Sequence, residues 1–88
     1  MLIDFDQAKQ QQFIQVAHKI MAKPDVYVQF DSVADFYAAP WLTEFPVGTM
    51  WQATGLDDGA EQFYAQIYYR HLRLNIDVST QLKIELQQ

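Results

Sequence analysis

The sequence contains no cysteine, which removes disulfides, thiolate catalysis and cysteine-ligated zinc together and fits a reducing compartment better than an oxidising one. Basic residues are also scarce: six Lys and Arg stand against eleven Asp and Glu, for a formal net charge of −5. An acidic chain repels nucleic-acid phosphates and anionic lipid headgroups, so direct nucleic-acid or membrane binding is not expected. No apolar run approaches the roughly 20 residues of a membrane span. The start Met1-Leu2-Ile3-Asp4-Phe5-Asp6 has neither the basic flank nor the apolar stretch of a signal peptide. The expected location is cytoplasmic. With glycine confined to Gly48, Gly55 and Gly59 there is no phosphate-cradling loop, and Ser32 and Ser79 sit in no nucleophile-elbow pattern.

What is present is apolar bulk. Half of the 88 residues are hydrophobic and 19% are charged, which predicts one compact domain over residues 1–88. A domain this small buries only about 60% of the surface its unfolded chain exposes. Without covalent staples, its two Trp, five Tyr and six Phe must supply the core. Between Lys23 and Arg70 there is no basic residue, while seven acids (Asp25, Asp31, Asp35, Glu44, Asp57, Asp58, Glu61) and eleven of the aromatics fall there. Negative charge joined to large apolar side chains suits a partner with a basic, apolar surface. Short acidic chains without motifs resemble products of bacterial phage or mobile gene cassettes in composition alone, and no residue role follows from that likeness.

Periodicity sets the fold class as α+β: an N-terminal amphipathic helix on a small, mostly antiparallel sheet, in the order α-β-(short α)-β-β-β(-β). Asp4 and Gln7 form a capping signature and Lys23-Pro24 a stop. Between them, Phe13, Ile14, Val16, Ala17, Ile20 and Met21 share one arc of a helix, and Gln11, Gln12, Gln15 and Lys19 lie outside it. Val26–Phe30 is rich in β-formers and reads as a strand. Ser32 with Asp35 caps a short helix from Val33 to about Ala39, closed by Pro40, and Trp41–Pro46 reads as irregular.

Residues 60–72 fit two periods. As a helix they would align Ala60, Phe63, Tyr64, Ile67, Tyr68, His71 and Leu72. As a strand they pair back on residues 49–56 through a turn at Asp57-Asp58-Gly59. Placing Leu56 opposite Ala60 sets Ala53 against Phe63, Trp51 against Ala65 and Thr49 against Ile67. This gives an apolar face and leaves Gln52, Thr54, Gln62, Tyr64 and Gln66 on the other, so the hairpin is preferred. Beyond Arg70 the inward parity changes, which predicts a bulge or bend near Tyr69-Arg70-His71. A turn at Ser79-Thr80-Gln81 would pair Val78 with Leu82, Ile76 with Ile84 and Leu74 with Leu86, a single long strand being the alternative.

No constellation carries chemistry, so no catalytic residue, metal ligand or cofactor is assigned. His18 has Ile14 and Ala22 where a helical metal pair needs a second ligand. His71 lies beside Arg70 and Arg73 with no acid or nucleophile named by spacing. The adjacent Asp57 and Asp58 lack the alternate spacing of a calcium loop and serve turn chemistry instead. The unusual feature is the apolar connector Phe36 to Val47. Its rings can plug the open end of the core, or Trp41 and Phe45 can protrude as anchors with Glu44 and Asp35 as a polar rim.

Three functions follow in order. The first is a protein-interaction module, self-associating as a homodimer, that uses Phe36, Tyr37, Trp41, Leu42, Glu44 and Phe45 of the connector with Tyr64 and Tyr68 of the outer sheet face. The second is a small-ligand binder or weak enzyme with a pocket lined by Tyr37, Trp41, Trp51, Tyr68 and His71. The third is an acidic mimic of nucleic acid, for which the acids must gather on one face.

Overall fold

The computed structural model describes residues 5–30, 32–55, 63–78 and 81–88. Helix α1 (Phe5–Ala22) buries Phe13, Val16, Ala17 and Ile20 and half-buries Ile14 and Met21, which is the arc that the 3.6-residue period demands. Gln11, Gln12, Gln15, His18 and Lys19 stay exposed. The expected cap, Asp4, lies outside the described residues. The helix ends before Lys23, and α2 (Pro24–Tyr27) begins with proline at its first position, where a missing N–H removes no helical bond.

This short helix corrects the strand expected at Val26–Phe30. The amides of Val26 and Tyr27 bond back to the Lys23 carbonyl and that of Val28 to Pro24, so the residues that follow proline are held in a helical turn. β-branched composition favours extended backbone only where a neighbouring strand is available, and none among the described residues flanks this segment. Phe30 instead packs its ring 5.6 Å from Phe36 and 5.3 Å from Phe63.

Helix α3 (Val33–Tyr37) follows the capping signature: the Ser32 hydroxyl accepts the Asp35 N–H at 3.1 Å from extended backbone. The connector is more ordered than expected, because Pro40–Glu44 forms a 3-10 helix. Leu42 N–H bonds to the Ala39 carbonyl, Phe45 N–H to Leu42, and the Thr43 hydroxyl donates to the Pro40 carbonyl at 2.8 Å. A turn from Pro46 to Thr49 then aims the chain into the sheet. Gly48 occupies its third position at φ 97°, and a Cβ there would lie 3.4 Å from the Tyr69 ring.

The sheet is antiparallel and four-stranded in the order β1 (Met50–Gly55), β2 (Phe63–Tyr69), β3 (Leu72–Val78), β4 (Leu82–Gln87). The α+β architecture therefore stands, with the N-terminal helix, the short helix and the antiparallel strands in the expected succession. Residues 63–69 are extended, not coiled, but their register differs from the expected one. Gly55 faces Phe63, Ala53 faces Ala65 and Trp51 faces Ile67. The slip is two residues, and an even slip leaves every side chain on its own face. Parity could be read from the pattern, whereas the choice among even registers depends on how far Phe63 must reach to meet Phe30 and Phe36. The turn expected at Asp57-Asp58-Gly59 lies outside the described residues.

The expected bend at Tyr69–His71 is a two-residue hairpin turn. Tyr69 pairs with Leu72, and Arg70 takes φ 58°. Reversal of the chain there explains the parity change, since Phe63, Ala65, Ile67 and Tyr69 and then Leu72, Leu74 and Ile76 all point inward and are buried. β3 and β4 pair as expected, with Leu74 opposite Leu86, Ile76 opposite Ile84 and Val78 opposite Leu82.

Between the layers runs a chain of rings: Phe13 to Phe45 at 5.0 Å, Phe45 to Trp41 at 6.4 Å, Trp41 to Phe36 at 6.1 Å and Phe36 to Phe63 at 5.7 Å. Phe36 is fully enclosed and meets the rings of Phe30, Tyr37, Trp41 and Phe63. Phe36→Ala should therefore cost about 3–5 kcal/mol, read from urea unfolding. Ser32→Ala, which removes only the α3 cap, should cost about 1 kcal/mol by the same measurement.

Candidate interaction surface

The structure separates the residues expected to act together. Phe36, Trp41, Leu42 and Phe45 are core residues, with exposures from 0% to 6%, so the connector plugs the core and does not offer them as surface anchors. The reason is local: a 3-10 helix beginning at Pro40 turns Trp41 and Leu42 toward the sheet. The Trp41 indole N–H also finds a buried acceptor in the Tyr27 carbonyl at 3.1 Å. Glu44 faces outward and pairs with Lys19 at 2.6 Å, while Gln12 donates to the Glu44 carbonyl, so α1 clamps the connector from outside. Tyr37 is exposed but committed, because its hydroxyl accepts the Ala53 N–H on the outer edge of β1 at 3.1 Å.

The expected pocket does not assemble. Trp41 meets Phe30, Phe36 and Phe45 within the core, and Trp51 lies on the inner face of β1 opposite Ile67. Tyr68 is on the outer face, and His71 is exposed in the turn at the end of the sheet. Side chains on opposite faces of one sheet cannot line one cavity. Among the acids of the central segment, Asp25, Asp35 and Glu44 are described and sit on three different helices, while Asp31, Asp57, Asp58 and Glu61 lie outside the described residues. Among the described residues no group of three or more His, Asp or Glu could hold a metal ion, and no helix is long and apolar enough to cross a membrane.

What the strands do bring together is a polar row across the outer face. Register places Gln52 beside Gln66, Gln66 beside Asn75 and Asn75 beside Glu85. The Gln52 amide donates to Gln66 at 3.0 Å, and the Gln66 amide donates to Asn75 Oδ1 at 3.2 Å and to the Tyr64 hydroxyl at 3.0 Å. Tyr64 and Tyr68 flank this row, the former 41% exposed, and Tyr64, Asn75, Asp77, Lys83 and Glu85 line a shallow open depression. Gln66 and Asn75 were not among the candidate residues, since only the lateral pairing of strands puts them in line with Gln52. The available signal was the alternation of polar residues along β1 and β2.

A second polar cluster ties the start of α1 to the β2–β3 turn. Asp6 Oδ1 accepts the Tyr69 hydroxyl at 2.7 Å and Arg70 Nε at 3.1 Å, and its Oδ2 accepts the Gln10 amide at 2.7 Å. The Tyr69 hydroxyl first, then Gln10, holds the Asp6 carboxyl below its ordinary value of 3.8, and the same bond to Asp6 first, with burial second, lifts the Tyr69 hydroxyl above 10.0. Neither group changes charge near neutrality, so the cluster is unsuited to acid–base catalysis and serves as a tether.

Comparison with protein-family models, with curated proteins and with solved structures finds no significant match. The pH dependence of the tether is open to measurement. Its folded-state Asp6 value is depressed, so the contribution is complete above about pH 4 and disappears as pH falls through the lowered value. That of Tyr69 is complete below pH 10.0 and is lost at higher pH. Thermal melts across pH should show both limbs in the wild type, no acid limb from this site and a reduced alkaline limb in Asp6→Asn, and both limbs reduced in Tyr69→Phe.

Proposed function

We propose that this chain is a small protein-interaction module that self-associates, and that its contact surface is the part of the sheet left uncovered by the helical layer. The observation that carries this reading is the outer face itself, where two tyrosines stand over an amide row whose polar groups are already bonded to one another. Tyrosine supplies large contact area at small entropic cost, and Gln and Asn offer adaptable donors and acceptors, a composition suited to protein recognition. Prior bonding among these groups lowers the cost of ordering them at an interface. A location in the cytoplasm is supported by the absence of cysteine.

Charge favours a mixed partner surface over a purely basic one. Arg73 and Lys83 share the outer face with Asp77 and Glu85, while Glu44, one of the central acids, is answered by Lys19. Two measurements test the reading. Sedimentation equilibrium should give a mass above the monomer at high micromolar concentration, and a concentration series of amide NMR spectra should shift resonances of β1 to β4. A strict monomer removes self-association, and shifts confined to α1 and the 3-10 helix place the contact elsewhere.

A further inference from the structure

The two edges of the sheet are treated differently. At the β1 edge, the Ala53 N–H points away from β2 to the Tyr37 hydroxyl, and α3 packs alongside. This bond sets the hydrogen-bonding phase of the whole ladder, because N–H and C=O of one residue point to the same side and successive residues alternate. Residues 50, 52 and 54 must then bond to β2, residues 63, 65, 67 and 69 to β3, and residues 73, 75 and 77 to residues 87, 85 and 83 of β4. The backbone groups of Leu82, Ile84 and Leu86 are left aimed at the open edge. No hydrogen bond among the described residues closes that edge. Their side chains lie on the core face but are incompletely covered, with Leu82 at 38% exposure and Ile84 and Leu86 half-buried.

The sequence of this edge, Gln81-Leu82-Lys83-Ile84-Glu85-Leu86-Gln87, is a palindrome in character about Ile84. We propose that two copies of this chain pair antiparallel through β4 about a twofold axis at Ile84, joining their sheets into one. This rests on the reading of the chain as a self-associating module and places the self-contact at the β4 edge, which leaves the tyrosine and amide face of the joined sheet open to a further partner. In that register Ile84 meets Ile84 of the second copy, Leu82 meets Leu86, Gln81 meets Gln87 and Lys83 meets Glu85. The hydrogen-bonded pairs are those of residues 82, 84 and 86, whose backbone groups are the free ones. Lys83 and Glu85 occupy the non-bonded positions, where opposed side chains come closest. Within one chain these two already pair at 3.1 Å, so the second copy completes an alternating square of charges on the outer face. Lysine on an edge strand ordinarily discourages strand addition; here an antiparallel copy sets a glutamate against it. On the inner face the leucines and isoleucines of both copies cover each other and extend the core across the junction. Edge pairing over so short a strand buries less than the roughly 1,600 Å² of a standard interface, which sets the expected affinity in the micromolar range.

Charge exchange tests the register. Lys83→Glu and Glu85→Lys change exposed side chains, and circular dichroism confirms that each variant is folded. Alone, each sets like charges opposite one another twice and should weaken dimerisation about tenfold or more by sedimentation equilibrium. Mixed in equal amounts, the two variants should form a heterodimer of near wild-type affinity, because each Glu pair then faces a Lys pair. Ile84→Pro removes an amide that the chain's own ladder does not use, and should leave a folded monomer. A wild-type dimer that persists unchanged in both single-charge variants and in Ile84→Pro overturns the β4 contact while leaving self-association intact. A wild type that stays monomeric at high micromolar concentration overturns both.

Discussion

The continuous contact of aromatic rings from α1 through the connector to β2 is the interaction on which the other features depend. Phe13 belongs to the helix, Phe45 and Trp41 to the connector, Phe36 to α3 and Phe63 to the sheet, so the contacts at the two ends, Phe13 to Phe45 and Phe36 to Phe63, join elements that are far apart in the chain. A small domain without disulfides has little apolar surface to spare. Here the middle of the core comes from a segment that in larger proteins would be a solvent-exposed loop. Polar bonds fasten the connector that carries them: the Trp41 indole N–H to the Tyr27 carbonyl, Gln12 to the Glu44 carbonyl, Lys19 to the Glu44 carboxylate.

That arrangement has a consequence for recognition. Rings used to join the layers are not available to a partner, and the side of the sheet facing away from the helices carries the exposed aromatic and amide groups instead. There the alternation of the strands supplies Tyr64, Gln66 and Tyr68 from β2, with Gln52 and Asn75 from its neighbours. The face is a bonded polar platform and not an apolar patch. The tether at Asp6, Tyr69 and Arg70 secures the opposite face at the end of the sheet, where Gly48 lets the chain pass close to the Tyr69 ring.

The edges complete this division. Tyr37 protects β1 by occupying one of its outward amides, that of Ala53. Among the described residues β4 has no such guard. Its alternating apolar and charged residues carry both an uncovered margin of the core and charges of both signs in a symmetric order.

Local pattern alone determined the arc of α1, the Ser32 cap, the stop at Lys23-Pro24, the faces of residues 51–54 in β1 and 63–67 in β2 and the pairing of β3 with β4, because each depends on periods or turns within a few residues. Tertiary structure alone decided three matters. Val26 and Tyr27 entered the helical turn α2 and Val28–Phe30 stayed irregular because no strand among the described residues lies beside them, although the composition favours extension. The β1–β2 register moved by two residues because parity constrains faces and leaves even slips to be settled by distant packing. The connector turned inward because burying Phe36, Trp41, Leu42 and Phe45 against α1 and β2 removes more apolar surface from water than any exposed arrangement could, and the partners that make this burial possible are brought near only by the completed fold.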